Sequence, residues 1–209
     1  KIILSNLFYV VLLKIIRCLL QRLVLKIRVK GTKFRIDMIK VREANSLDAN
    51  TIALLGRVTF NESHSQYIKN KKDVLDFCNT SFNVHKIKKE LEDKDLIFWI
   101  IFYDELPVGF AKVILNNANE FIKNKKACKL DKIYILNDFL GMKLGNKLHE
   151  TIIKKMKTLE FDVIWLVTYI LNYKAIQFYE SHQYKKVGFV DFTVAEIGYK
   201  NHVFVRKLH

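Results

Sequence analysis

The stretch that decides the fold is LDKIYILNDFLGMKLGNKL, residues 130–148, which runs from an apolar strand through a turn into a helix. Gly141 and Gly145 mark the turn, and Leu144 and Leu148 begin a helical repeat of apolar residues. The first N–H groups of a helix lack internal partners and point, with the helix dipole, at whatever lies above the turn. The stretch therefore predicts a strand–turn–helix unit that could hold a pyrophosphate.

Two glycines four residues apart also suit a plain tight turn. The stretch lacks the Gly-Lys-Ser/Thr end of a Walker A loop and the GxGxxG of a dinucleotide-binding turn. Lys143 and Lys147 place positive charge beside it. Taken alone, the pattern leaves both the phosphate site and the simple turn open.

A second stretch, NYKAIQFYESHQYKKVG at residues 172–188, begins as a helix. Asn172 and Tyr179 are seven residues apart, which is two helical turns, so both side chains fall on one face. They could share a ligand, or Tyr179 could be an ordinary core tyrosine beside Phe178.

The rest of the chain alternates between strand-like and helix-like patterns, with a βαβ unit in the second half. Strands are predicted at Met38–Glu43, Leu96–Tyr103, Val108–Leu115, Lys129–Leu136, Val163–Thr168, Tyr184–Asp191 and Val203–Arg206. Helices are predicted after a Ser46 cap and near Lys72–Cys78, Val84–Leu91, Leu144–Leu159 and Asn172–His182. The order indicates an α+β, or mixed α/β, sheet.

The net charge of +15 is unevenly spread, because residues 1–37 hold nine basic residues against Asp37 alone. Such an excess suits nucleic acid, a membrane surface or a phosphorylated cofactor. No RNP, helix-turn-helix or zinc-finger pattern is present, so we expect no nucleic-acid partner. The cysteines Cys18, Cys78 and Cys128 are scattered without CxxC spacing, which argues against disulfides and metal and favours a cytoplasmic protein.

Residues 1–37 form a basic apolar extension ahead of the predicted domain at 38–209. Their longest uncharged run, Ile2–Leu13, is 12 residues, whereas a spanning helix needs roughly 18 or more. We therefore expect no stable membrane insertion. Either the extension is not native, with Met38 as the natural start, or it forms a basic helix on an anionic membrane surface.

Together the two stretches resemble the GNAT superfamily of N-acetyltransferases. That family has a strand, a pyrophosphate-binding turn of the form Q/R-x-x-G-x-G/A, a long helix, a strand and an N-x-x-A-x-x-F-Y segment. Residues 172–179 match the last segment at every specified position, whereas the turn departs from it at Leu140 and Lys143. The missing central glycine at Lys143 would matter if that position required a positive φ.

The resemblance implies a twisted mixed sheet of about seven strands flanked by helices, with acetyl-CoA as co-substrate. It implies backbone contacts to the pantetheine arm at Ile133, Tyr134 and Ile135, and a general acid at Tyr179. Asn172 would bond the pantetheine or orient the site. Pyrophosphate binding is assigned to Leu140, Gly141, Met142, Lys143, Leu144, Gly145 and Asn146.

The proton acceptor is less defined. Asp131 is expected to share a strand face with Ile133 and Ile135, where it could accept the amine proton or simply be salt-bridged. Glu62 and His64 are alternatives, and His149 is predicted on the surface.

Three further segments, at residues 56–63, 81–91 and 106–113, look like the bacterial spermidine N-acetyltransferase subgroup. They suggest a polyamine or another small primary amine as the acceptor, and the family also suggests a homodimer. The altered turn motivates an alternative, a catalytically silent acyl-CoA-binding or regulatory module on the same fold.

Overall fold

A seven-stranded mixed sheet organises residues 38–122, 126–194 and 197–209, the parts of the chain that the computed structural model describes. The strand order is β1-β2-β3-β4-β5-β7-β6. The strands are β1 (Ile39–Glu43), β2 (Leu96–Tyr103), β3 (Leu106–Ile114), β4 (Ala127–Ile135), β5 (Val163–Tyr169), β6 (Lys185–Val194) and β7 (Ile197–Lys207). The predicted fold class is confirmed, whereas the predictions for residues 1–37 lie outside the described residues.

The helices are α1 (Ala49–His64), α2 (Lys71–Ser81), α3 (Val84–Leu91), α4 (Leu144–Thr158) and α5 (Tyr173–Ser181). Asparagine side chains cap the starts of α2, α3 and α5. The predicted Ser46 cap is wrong by one residue. Asn45 accepts from the Leu47 amide and opens a short 3-10 turn that leads into α1.

Helices cover both faces of the sheet. The α1–α3 side packs around Phe98, Ile100 and Phe110. Lys155 of α4 forms a salt bridge with Glu43 at 2.7 Å. Glu43 pairs with Trp99 across β1 and β2, so both side chains lie on the same face. Because Trp99 follows Phe98 in the strand, that face is opposite to the one that carries Phe98. The β4–α4–β5 crossover therefore places α4 on the second face.

Strands β4 and β5 pair in parallel along only part of their length. Their register runs from Ala127 opposite Val163 to Lys129 opposite Trp165. Beyond this point β4 stays paired with β3 as far as Ile135 opposite Gly109, while β5 follows β7. A wedge thus opens in the middle of the sheet, and we call it the β4–β5 wedge.

Candidate active site

The turn between β4 and α4 lies beyond the end of β4 and has an unusual backbone. Gly141 has φ +79°, and no atom lies within 4 Å of a Cβ added there, so its backbone angle and not space requires glycine. Lys143 also takes the left-handed conformation, with φ 59° and ψ 15°. For a non-glycine residue this costs about 1–2 kcal/mol. The position where the family has glycine therefore does adopt a positive φ.

The start of α4 is open. No side chain among the described residues caps it, and the bond from the Lys147 amide to the Lys143 carbonyl, 3.1 Å, is the first of the helix. The amides of Leu144, Gly145 and Asn146 precede that bond, so they have no i−4 partner. At the starts of α2, α3 and α5, by contrast, an asparagine side chain accepts from such free amides. The start of α4 is thus arranged to accept an anion.

The predicted turn residues, 140–146, all lie on this one bend. Leu140 is 51% exposed, at the position where the family carries Gln or Arg. A Cβ added at Gly145 would meet the Phe178 ring at 3.5 Å, an ordinary contact. Phe178 of α5 therefore packs beside the helix start without crowding it.

Past Lys129, the edge of β4 that faces the wedge carries backbone groups with no strand partner among the described residues. The Leu136 amide donates to the Val108 carbonyl at 2.9 Å, across to β3. Because backbone groups alternate in direction along an antiparallel pair, those of Tyr134 also face β3, and those of Ile133 and Ile135 face the wedge. Two of the three residues predicted to contact the pantetheine arm, Ile133 and Ile135, thus turn their backbone groups toward the wedge.

Tyr179 of α5 lies in the core. Its ring packs against Phe178, Tyr184 and Phe204, with centroids 5.5–6.2 Å apart, and the residue is 9% exposed. Its hydroxyl has no hydrogen-bond partner among the described residues. Burial raises the pKa of the Tyr179 phenol well above its ordinary value. The hydroxyl is therefore protonated at neutral pH and available as a donor.

The Tyr134 phenol lies within electrostatic reach of Tyr179. Burial, and then the neighbouring Tyr179, raise the pKa of Tyr134 above its ordinary value. Asn172, at the other end of α5, accepts from the Ala175 amide at 3.2 Å and caps the helix. The cap occupies the Asn172 side-chain oxygen, so its amide nitrogen remains as a donor.

The prediction that Asp131 shares a face with Ile133 and Ile135 is wrong. The β3–β4 register shifts between Lys112 and Val113, and Asp131 is the extra residue of the resulting bulge. Its side chain therefore lies with the lysines of the opposite face.

Three ammonium groups surround the Asp131 carboxylate, those of Lys132 at 2.6 Å, Lys129 at 3.1 Å and Lys112 at 3.8 Å. Burial opposes ionisation, but the charges of the lysines outweigh it and hold the pKa of Asp131 well below its ordinary value. Asp131 is a salt-bridged residue and a weak proton acceptor.

Glu62 lies near the end of α1, close to the segment that follows β4. Its carboxylate accepts from the Asn137 amide at 3.0 Å, directly after β4. Burial raises the pKa of Glu62 despite that bond. His64 stacks on Phe60 at 4.7 Å and meets the Tyr134 ring edge-on at 6.0 Å. Burial lowers the pKa of His64 to about 4, so its ring is neutral at pH 7.

Sequence reasoning did not single out Tyr67, which follows α1. Its hydroxyl donates to the Leu171 carbonyl at 3.1 Å, and its ring meets Tyr169 at 5.0 Å. Tyr169 in turn meets Tyr199 of β7 at 5.7 Å. The segment after α1 therefore reaches from the β4 side of the wedge to the β5 side. Tyr67, Tyr169 and Tyr199 thus form an aromatic wall, which we call the tyrosine wall. In the sequence, only their aromatic character pointed to it.

The prediction that His149 lies on the surface is also wrong. His149 is 1% exposed, and its Nε2 bonds the Tyr184 hydroxyl at 3.1 Å. Burial, and then the charges of His182 and Arg206, lower the pKa of His149 to about 3.

In the part of the chain that the structure describes, no three His, Cys, Asp or Glu side chains gather as metal ligands. None of the described helices is long and apolar enough to cross a membrane.

The family model described as "Acetyltransferase (GNAT) family" matches residues 60–184, more than half of the chain. An uncharacterized N-acetyltransferase in the pepI 3' region of Lactobacillus delbrueckii subsp. lactis is 22% identical over 143 residues, covering 68% of this chain and 82% of that protein.

Two solved structures share the fold. The PaiA N-acetyltransferase of Thermoplasma acidophilum, in complex with coenzyme A, has a TM-score of 0.66 at 17% identity, over 81% of this chain and 98% of its own. Arabidopsis thaliana NAA60, in complex with a bisubstrate analogue, has a TM-score of 0.62 at 13% identity, over 81% and 97%.

Proposed function

Since this chain belongs to the acetyltransferase (GNAT) family, we propose that it transfers an acetyl group from acetyl-CoA to a small primary amine. The observation that carries the proposal is the uncapped start of α4 beside the β4–β5 wedge. PaiA was solved with coenzyme A and NAA60 with acetyl-CoA, which supports the same co-substrate here.

The cofactor would bind through the backbone. Its pyrophosphate accepts from the amides of Leu144–Asn146, aided by the helix dipole and by Lys143 and Lys147. Its pantetheine arm runs along β4 and bonds the wedge-facing groups of Ile133 and Ile135. A backbone N–H there also polarises the thioester carbonyl.

The reaction needs no covalent enzyme intermediate. The neutral amine attacks the thioester carbonyl carbon, and the resulting tetrahedral adduct expels the thiolate. Tyr179 donates its phenolic proton to the leaving sulfur, and the amine gives up a proton as the amide forms. The high pKa of Tyr179 keeps that proton in place at neutral pH.

We assign the proton acceptor to Glu62, acting directly or through water. The raised pKa of Glu62 makes it a stronger base than an ordinary carboxylate. Asp131 is not retained in this role, because three lysines already neutralise its charge.

The acceptor would approach over the wall formed by Tyr67, Tyr169 and Tyr199, whose rings favour an ammonium group before it loses its proton. The subgroup likeness suggests a polyamine within the class of small primary amines. The predicted homodimer and cytoplasmic location stay predictions.

The test is thiol release from acetyl-CoA across a panel of polyamines, amino sugars, aminoglycosides and peptide N-termini. We expect one chemical class of amine to stimulate release and to yield the N-acetylated product. Silence across the whole panel, with acetyl-CoA still bound, would contradict the proposal and favour the non-catalytic module.

A further inference from the structure

A basic groove lies between α4, the end of α5 and β7, and we call it the Arg206 groove. It encloses about 450 Å³. Its ionisable lining groups are Lys154, Lys157, Arg206, His149, His182 and Glu150. Lys154, Lys157 and Arg206 bring three positive charges against the one carboxylate of Glu150, so the groove attracts anions.

The Arg206 guanidinium carries an unsatisfied donor. Its Nε is buried and has no hydrogen-bond partner among the described residues. Buried donors in folded proteins are normally paired, because an unpaired one keeps its full desolvation penalty. Arg206 is half-buried and lines the groove, so phosphate oxygens could reach the outer nitrogens of its guanidinium, whose geometry they match.

Two histidines, His149 and His182, line the groove beside Arg206. Their rings are 4.5 Å apart, and His182 Nδ1 donates to the Phe178 carbonyl at 2.7 Å. The charge of Arg206 helps to keep His149 neutral. An anion in the groove would offset this repulsion.

The groove adjoins the proposed cofactor turn. Phe178 packs beside Gly145 and also meets His149, one turn further along α4. At 1.5 Å per residue, the groove begins about 6 Å from Gly145 along the helix axis, and Lys157 lies about 18 Å away. A molecule held at the turn could extend a second phosphate group into it.

We propose that the Arg206 groove binds a phosphate monoester, separately from the pyrophosphate turn. The phosphate has two chemical sources, the 3′-phosphate of acetyl-CoA or a separate phosphorylated small molecule. The first source rests on the proposed function, and the second does not.

The experiment measures calorimetric affinities of CoA and dephospho-CoA for the full chain and for two variants. In Arg206→Gln the guanidinium is lost. In the control Lys155→Gln, a positive charge is lost from α4, the helix that lines the groove, but on the side that pairs with Glu43. If the 3′-phosphate occupies the groove, CoA binds about tenfold or more tightly than dephospho-CoA. Arg206→Gln abolishes that preference, and Lys155→Gln keeps it.

A second arm distinguishes the other source. The chain saturated with dephospho-CoA is titrated with inorganic phosphate while its thermal stability is followed. If phosphate raises the melting temperature of the wild type and of Lys155→Gln but not of Arg206→Gln, the groove binds phosphate whatever its source. If phosphate also raises the melting temperature when the chain is saturated with CoA, the 3′-phosphate does not fill the groove, and the natural ligand is a separate phosphorylated molecule.

The proposal is overturned if CoA and dephospho-CoA bind alike and phosphate shifts all three proteins equally. Arg206→Lys keeps the positive charge and should retain part of the preference for CoA over dephospho-CoA. It therefore separates loss of the charge from misfolding of Arg206→Gln. If CoA does not bind at all, the proposed function fails, and the phosphate titration of the free chain still tests the groove.

Discussion

Replacing Gly141 by alanine tests the turn with little disturbance elsewhere. An added Cβ meets no atom within 4 Å, so the variant introduces no clash. The backbone angle of +79° instead forces an L residue into the left-handed region, at a cost of about 1–2 kcal/mol. In a chain of this size each kcal/mol lowers the melting temperature by about 2–4 °C.

Gly198→Ala is the matched control. Its added Cβ also meets nothing within 4 Å, but Gly198 has no positive φ. The two variants therefore differ in the backbone angle that the glycine adopts. Gly198→Ala should raise the free energy of unfolding slightly, by about 0.4–1 kcal/mol, and leave acetyl-CoA affinity unchanged.

Urea denaturation and calorimetric titration with acetyl-CoA provide the two readouts. Relaxation of the strained turn would move the amides that follow it, so Gly141→Ala should also weaken acetyl-CoA binding about tenfold or more. If Gly141→Ala matched Gly198→Ala in both measurements, the left-handed turn would not be what binds the cofactor.

The remaining predictions concern catalysis and pH. Tyr179→Phe removes the proposed acid and should lower kcat by about 10²–10⁴-fold. Because the ring contacts are kept, stability and acetyl-CoA affinity should not change. Turnover equal to that of the wild type would contradict the acid role of Tyr179. Glu62→Gln should lower kcat more than Asp131→Asn does, and the reverse order in steady-state kinetics would restore Asp131 as the base. The lowered pKa of His149, about 3 against 6.5, means that the unfolded chain binds more protons between these values. The free energy of unfolding should therefore fall by about 2 kcal/mol from pH 6.5 to 4.5 in the wild type, and by less in His149→Gln. If urea denaturation gave the same pH dependence for both proteins, the assignment to His149 would be contradicted.

Local patterns predicted most of the fold because they reflect local physics. The β4–turn–α4 unit follows from an apolar strand, two glycines and a helical repeat that lie next to one another in the chain. The last strand is the exception, since β7 spans Ile197–Lys207 and only Val203–Arg206 was predicted. Its first half shows no clear apolar run and is held by pairing with β5 and β6.

The predictions for the candidate site failed where a residue's position depends on contacts between distant parts of the chain. The face of Asp131 was inferred from an uninterrupted two-residue repeat, and a bulge against β3 reversed it. His149 is buried because α5 packs against α4 on that side, a contact between segments far apart in sequence. Tyr67 likewise reaches Leu171 across 104 positions of the chain. No local motif marks such contacts.

The measurement that tests the central claim most directly is the stoichiometry of acetyl transfer. Purified protein is incubated with acetyl-CoA and the most active amine of the panel, and free thiol and N-acetylated product are quantified together. The account predicts equal amounts of both from the wild type and a large loss of both in Tyr179→Phe. Thiol release without acetylated amine, or equal product from Tyr179→Phe, would contradict it.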